Sequence, residues 1–222
     1  MNYKALLFDL NGTMIDDMDY HVKAWHTIFN DLGANISLER MKEECYGKNH
    51  EVIERILPGR FSEVQKTQMS LAKETAYQEA FKPHLKLING LDEFLNKAYR
   101  QNIPMAIGSA AIMSNIDFVL DGLNIRKYFS AIVSAEDVSR SKPDPETYLK
   151  CARALKVTPV DCLVFEDAPK GVESAFNAGM RSVVLTILHQ QHEFDRYNNI
   201  VAFGKDYTDK GLSDFFKDNL LT

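Results

Sequence analysis

Asp9 closes a short apolar run, Ala5-Leu6-Leu7-Phe8, and is followed by Leu10-Asn11-Gly12-Thr13. A carboxylate, an amide and a hydroxyl are thus gathered around a glycine that permits a tight turn. A second acidic pair, Glu166-Asp167, ends the run from 162 to 165 and precedes Ala168-Pro169-Lys170-Gly171. Taken singly, such acids read as turn or capping residues. In a fold that gathers strand ends at one edge, however, the three carboxylates converge and repel one another unless a cation lies between them. Oxygen donors in small number suit Mg²⁺. Two further segments fall at the same kind of position. Gly108-Ser109-Ala110 follows an apolar run, so its backbone N–H groups and the Ser109 hydroxyl could face an anion, although Ser109 alone reads equally as a helix cap. Ser141-Lys142-Pro143-Asp144-Pro145 holds a lysine in a stiff loop, where a lone lysine ordinarily faces solvent.

The elements that must position these residues alternate. Short β-rich segments fall at 5–8, 103–107, 131–133, 162–165 and 181–185, with a weaker one at 200–203. Between them, sets such as Leu91, Phe94, Leu95, Ala98 and Ile116, Val119, Leu120, Leu123 carry the i, i+3, i+4, i+7 spacing of a one-sided helix. Strand–helix alternation predicts an α/β fold: a Rossmann-like, doubly wound parallel sheet with helices on both faces. Asp144-Pro145 marks a helix start before Tyr148, Cys151, Ala152 and Leu155, and Gly179 marks a helix end.

From 16 to 84 the pattern is helical throughout, with a stripe of Val22, Trp25, Phe29 and Leu32. This predicts an inserted all-helical cap domain at 16–84 and a discontinuous core at 1–15 and 85–222. Since the insert enters just after the first strand, it is expected above the carboxyl ends of the strands, where doubly wound sheets bind ligands.

Composition narrows the function classes. The 222 residues carry 26 Lys+Arg against 31 Asp+Glu, a net charge of -5 without a basic cluster, which argues against nucleic acid. The acid excess is spread thinly, with 12 acids against 9 bases in 16–84 and 19 against 17 elsewhere. No run approaches the ~20 apolar residues needed to span a membrane. Cys45, Cys151 and Cys162 are few, odd in number and set in apolar surroundings, the pattern of reduced thiols in a cytoplasmic protein. A monomer or weak dimer is expected.

The ordered set Asp9-Leu10-Asn11-Gly12-Thr13, Ser109, Lys142 and Glu166-Asp167 resembles the haloacid dehalogenase superfamily. The run Asp17-Met18-Asp19-Tyr20-His21-Val22-Lys23-Ala24-Trp25, with Ser-Lys-Pro-Asp-Pro-Glu at 141–146 and Phe-Glu-Asp-Ala-Pro-Lys-Gly at 165–171, is similar to its β-phosphoglucomutase group. The resemblance implies phosphoryl transfer from a small phosphorylated metabolite to Asp9 as nucleophile. It implies Mg²⁺ held by Asp9, the Asn11 carbonyl and Asp167 with support from Glu166, and phosphoryl oxygens held by Thr13, Ser109, Ala110 and Lys142. Such a transfer spreads negative charge over the phosphoryl oxygens, and a cation, a lysine and fixed N–H donors stabilise it.

Asn11 departs from the family's aspartate at that position, which acts as acid and base. An amide cannot exchange a proton at neutral pH, so turnover is expected to be slow unless another group, with His21 and Asp17 as candidates, substitutes. A deliberate substitution that traps a complex, a natural change of chemistry and a loss of activity are all open accounts of Asn11. A dehalogenase or a phosphonoacetaldehyde hydrolase with Lys48 or Lys73 as amine is a minor alternative. In the insert, His21 and Trp25 match the mutase and lie at i, i+4, although Trp25 also suits ordinary packing against Phe29. Gly47-Lys48-Asn49-His50 stands where the mutase has Gly-x-x-Arg, which weakens that cation or displaces it to Lys48. Ala111-Ile112-Met113 stands where the mutase has Ser-Lys-Asn. A second phosphate is poorly provided for, which favours a phosphatase acting on a sugar or polyol monophosphate over a β-phosphoglucomutase. A non-catalytic phosphometabolite-binding protein is the rival from another class.

Overall fold

A computed structural model describes residues 3–220. The chain forms two compact units, one made of 1–16 and 86–222 and the other of 17–85.

The first unit opens with β1 (Ala5–Phe8). The second unit follows in the chain and consists of α1 (Met18–Asp31), α2 (Leu38–Glu44), α3 (Asn49–Ile56) and α4 (Glu63–Phe81). The chain then returns to the first unit. It runs through α5 (Leu91–Arg100), β2 (Met105–Gly108), α6 (Met113–Gly122), β3 (Ala131–Val133) and α7 (Glu146–Leu155). It continues through β4 (Cys162–Glu166), α8 (Pro169–Asn177), β5 (Arg181–Leu185), β6 (Ile200–Gly204) and α9 (Lys210–Asn219).

The strands form one parallel sheet in the order β3-β2-β1-β4-β5-β6. β1 and β4 are buried along their whole length, which is why each reads as a continuous apolar run and not as an alternating one. The two faces still alternate. Ala5, Leu7, Cys162 and Val164 pack with Tyr148, Cys151 and Ala152 of α7 and with Ala175 of α8. On the other face Phe8 stacks on Phe165 with ring centroids 4.6 Å apart, and Phe94 of α5 and Phe216 of α9 close over the pair. The chain leaves β1 for β2 and β3 on one side and reaches β4 and β5 on the other. The order therefore reverses beside β1, the position at which open α/β sheets form a ligand crevice.

Phe8 is aligned with Ile107 and with Phe165, so Asp9, Ser109 and Glu166-Asp167 all leave the sheet at one edge. β2 starts two residues later than expected because Asn102 takes a positive φ and ends the turn after α5. α7 begins after Pro145, with the Asp144 carboxylate accepting the Glu146 N–H at 3.0 Å. Gly179, at φ +74°, follows the end of α8.

The second unit has its own apolar core, in which Val22, Trp25 and Phe29 of α1 pack with Ile36, Met41, Val52 and Ile53. Ser62 caps α4, accepting from the Gln65 N–H while Gln65 reaches back to the Ser62 N–H. All three cysteines are free. Burial pushes Cys45 and Cys162 up to about 11 and Cys151 up to about 12, so these thiols stay protonated and unreactive at neutral pH. Among the described residues, no helix is long and apolar enough to cross a membrane.

Candidate active site

The alternation of β1 and β4 explains why the acids meet. Asp9 continues the face of Ala5 and Leu7, and Glu166 continues the face of Cys162 and Val164, so both are directed toward α7. The Asp9 N–H extends the ladder to the Phe165 carbonyl at 3.0 Å, which ties the Asp9 backbone to β4. Oxygens of Asp9, Glu166 and Asp167 lie within 4.8 Å of one another.

One cation holds part of this cluster. Lys142 Nζ lies 2.6 Å from Asp9 Oδ1, 2.7 Å from Glu166 Oε1 and 2.8 Å from the Tyr148 hydroxyl. Burial works against its charge, but Asp9 and Glu166 outweigh burial and raise its pKa, so the ammonium stays protonated. The Tyr148 O–H in turn donates to Glu166 Oε1 at 2.6 Å. Glu166 Oε2 accepts the N–H groups of Asp167 and Ala168 at 3.0 and 3.2 Å. Glu166 is therefore fully committed to fixed donors.

Asp167 is in a different position. Its Oδ1 accepts the Thr13 hydroxyl at 3.1 Å, and the residue is 4% exposed. Burial first, then the charges of Glu166 and Asp9, push its pKa well above the usual carboxylate range. A second cation among these oxygens would remove that penalty, and an all-oxygen, carboxylate-rich donor set suits a hard divalent ion. Two glycines make the packing possible. Gly12 sits at φ +77°, and a Cβ there would collide with the Asp167 carboxylate, while a Cβ on Gly171 would collide with Glu166.

Ser109 is 1% exposed and donates its N–H to the Val133 carbonyl at 3.0 Å. Its hydroxyl oxygen accepts the Ala111 N–H at 3.1 Å, leaving the hydroxyl proton to be donated. Ser109 does not cap α6, whose N-cap is Ile112. Ala110 is half-buried beside it. Asn11 is half-buried in a loop closed by the Gly12 N–H on the Ile15 carbonyl at 2.8 Å.

The remaining sequence candidates belong to the second unit. His21 Nδ1 faces Lys73 Nζ at 2.6 Å, and His21 Nε2 lies 3.3 Å from Asp17 Oδ2. Lys73 is a donor only, so Nδ1 accepts and the ring proton resides on Nε2. Burial, and then the Lys73 charge, lower the His21 pKa and keep the ring neutral at pH 7. Asp17 also accepts the Tyr77 hydroxyl at 2.5 Å. Both groups considered as substitutes for the acid that Asn11 replaces thus have buried partners, Lys73 for His21 and Tyr77 for Asp17. Trp25 is 1% exposed and stacks on Phe29 at 5.0 Å, the surroundings of a packing residue. Lys48 precedes α3, where its N–H donates to Glu51 Oε2 at 2.7 Å, and Asn49 donates to Glu74 at 2.6 Å. Lys73, the amine considered as a nucleophile, also donates to both oxygens of Glu74 at 3.0 Å.

Sequence reasoning missed Tyr148. It falls in the same helical stripe as Cys151 and Ala152, where an aromatic residue reads as core, and its ring is indeed core. Its hydroxyl reaches the site.

This sheet order, with an acid–lysine cluster at the ends of its two central strands and a helical unit inserted after the first, defines a Rossmann-like α/β protein. Residues 6–185 match the haloacid dehalogenase-like hydrolase family, to which the chain belongs, and within it the chain falls in the β-phosphoglucomutase-like group. It is 32% identical to a β-phosphoglucomutase from Bacillus subtilis over 189 residues, covering 81% of this chain and 82% of that protein. It is 28% identical to a fructose-1-phosphate phosphatase from Escherichia coli over 186 residues, covering 84% of this chain and 98% of that protein. The crystal structure of a β-phosphoglucomutase from Clostridium difficile aligns with a TM-score of 0.82 at 26% identity, covering 97% of this chain and 96% of the other.

Proposed function

We propose that the chain is a Mg²⁺-dependent phosphatase that takes the phosphoryl group of a small sugar or polyol monophosphate onto Asp9 and then releases it to water. The observation that carries this reading is the placement of Lys142 between Asp9 and Glu166, with the Asp167 carboxyl in the same cluster. An Asp9 oxygen attacks phosphorus, the bond from phosphorus to the leaving oxygen breaks, and that oxygen takes a proton from water, because the Asn11 amide has none to give at neutral pH. Water then attacks the aspartyl-phosphate and returns Asp9 and inorganic phosphate. Lys142 neutralises Asp9 so that it can approach an anion, and the Ser109 hydroxyl, the neighbouring N–H groups and Thr13 hold phosphoryl oxygens. Asp9, the Asn11 carbonyl and Asp167, supported by Glu166, would hold Mg²⁺, which supplies charge neutralisation at the phosphoryl oxygens.

The Bacillus relative favours a second reading, phosphomutase, in which the phosphoryl group returns to a sugar instead of to water. A screen of sugar, polyol and nucleotide monophosphates with Mg²⁺ separates the readings. Free phosphate from a sugar or polyol phosphate supports the phosphatase, and rapid isomerisation of β-glucose 1-phosphate with little free phosphate supports the mutase. Binding without either product would show a phosphometabolite-binding protein, consistent with Asn11. The free, protonated thiols support placement in a reducing compartment such as the cytoplasm.

A further inference from the structure

We propose that Tyr148 is a positioning residue of this site, acting through Lys142: its hydroxyl fixes the ammonium between Asp9 and Glu166. The inference rests on the phosphoryl-transfer reading above. An ammonium has three protons, and here each has an acceptor: Asp9 Oδ1 at 2.6 Å, Glu166 Oε1 at 2.7 Å and the Tyr148 oxygen at 2.8 Å. The Tyr148 proton goes to Glu166 at 2.6 Å, so the phenol accepts from the cation and donates to the anion at once. Nζ also stands 4.6 Å from the centroid of the Tyr148 ring.

The three acceptors differ in how firmly they are held. Asp9 is the group that must change, because phosphorylation converts its carboxylate into an acyl phosphate. Glu166 is anchored by two backbone N–H groups. Tyr148 is fully buried, its ring wedged against Gly108 and the core beneath the sheet, so its oxygen is the neutral, immobile member of the set. Without it, the ammonium is drawn between two carboxylates alone and settles closer to Glu166, the one that keeps its charge through the cycle. With it, Lys142 retains a fixed support while Asp9 exchanges its contact for a phosphoryl oxygen.

Tyr148→Phe removes the hydroxyl and keeps the ring, the volume and the ring's contact with the ammonium. A hydrogen bond to a charged group that shapes the transition state should appear in kcat, with a loss of about 10- to 100-fold and KM changed by less than about 3-fold. If Tyr148 acts only through Lys142, the loss disappears in a Lys142→Met background, or in Lys142→Arg if the first variant does not fold. The second readout is ¹⁹F NMR of beryllium fluoride bound with Mg²⁺, a mimic of the phosphorylated aspartate. Tyr148→Phe should shift the resonance of the fluorine facing Lys142 and weaken binding. Unchanged kcat and fluorine spectra in Tyr148→Phe, or an equal loss in both backgrounds, would overturn the inference and leave the phosphoryl-transfer reading standing. A wild-type chain that neither binds beryllium fluoride nor releases phosphate would overturn both.

Discussion

Lys142 and Asp9, 133 positions apart in the chain, meet at 2.6 Å at the mouth of the sheet. The contact depends on two independent placements. β1 carries Asp9 out on the face of Leu7, and the loop ahead of α7 returns Lys142 to that same face. A one-residue change of register in β1 would turn Asp9 toward Phe94 and Phe216 and leave the lysine with Glu166 and the Tyr148 hydroxyl.

Removing this cation should be costly. Lys142→Met leaves Asp9 and Glu166 buried and uncompensated, and loss of one partner from a buried pair typically destabilises by about 3–5 kcal/mol. Urea denaturation at pH 7 should show a loss of this size in EDTA and a smaller one with Mg²⁺ present. Equal stability of wild type and variant in EDTA would show that the lysine does not neutralise the cluster.

Metal should act on stability through Asp167. Because burial and the charges of Glu166 and Asp9 oppose ionisation of Asp167, Asp167→Asn should make the protein more stable than wild type in EDTA. Mg²⁺ should raise the Tm of the wild type by binding the folded state alone, and should leave the Tm of Asp167→Asn unchanged. Differential scanning fluorimetry at several Mg²⁺ concentrations checks both halves.

Placing a carboxyl at position 11 should increase turnover. General acid–base catalysis is typically worth ~10²- to 10⁴-fold, so Asn11→Asp should raise phosphate release within that range. No gain in rate would sink the expectation that Asn11 limits turnover.

The His21 cluster predicts a pH effect on the stability of the protein. His21 faces Asp17 and Lys73, with Glu74 and the stacked ring of Tyr77 beside them. Its folded-state pKa is lowered, so the folded state binds fewer protons than the unfolded chain. Stability from this group is complete above the unfolded value of about 6.5 and is lost as pH falls below it toward the folded value, with a slope approaching about 1.4 kcal/mol per pH unit. Urea titrations between pH 7.5 and 5 should show this decline, and His21→Gln should flatten it. The same slope in the variant would assign the effect to other groups.

Much of this was legible in the chain because it depends on local pattern. Apolar runs ending in Asp9 and in Glu166-Asp167 gave both the strands and the acids at their ends, since a strand buried on both faces leaves an unmistakable hydrophobic block. α4 carries less of a pattern. Its polar residues Ser70, Lys73 and Glu74 are buried beside Tyr77 and Phe81, which blurs the apolar stripe that would announce a helix. In α9 only Leu212 and Phe216 are buried at helical spacing, a pair too short to mark a helix in the chain.

By itself the sequence determined which groups could do chemistry, the order in which the strands present them, and the amide at position 11, all of which follow from residue type and spacing along the chain. Only the tertiary structure decided how those groups are engaged. It gave all three Lys142 protons an acceptor and brought the Tyr148 hydroxyl out of an ordinary core stripe into the site. It also set His21 and Asp17 beside Lys73, Glu74 and Tyr77. Such pairings include residues 154 positions apart, Thr13 and Asp167, and are set by strand register and side-chain packing, which act at distances that no local pattern in the chain encodes.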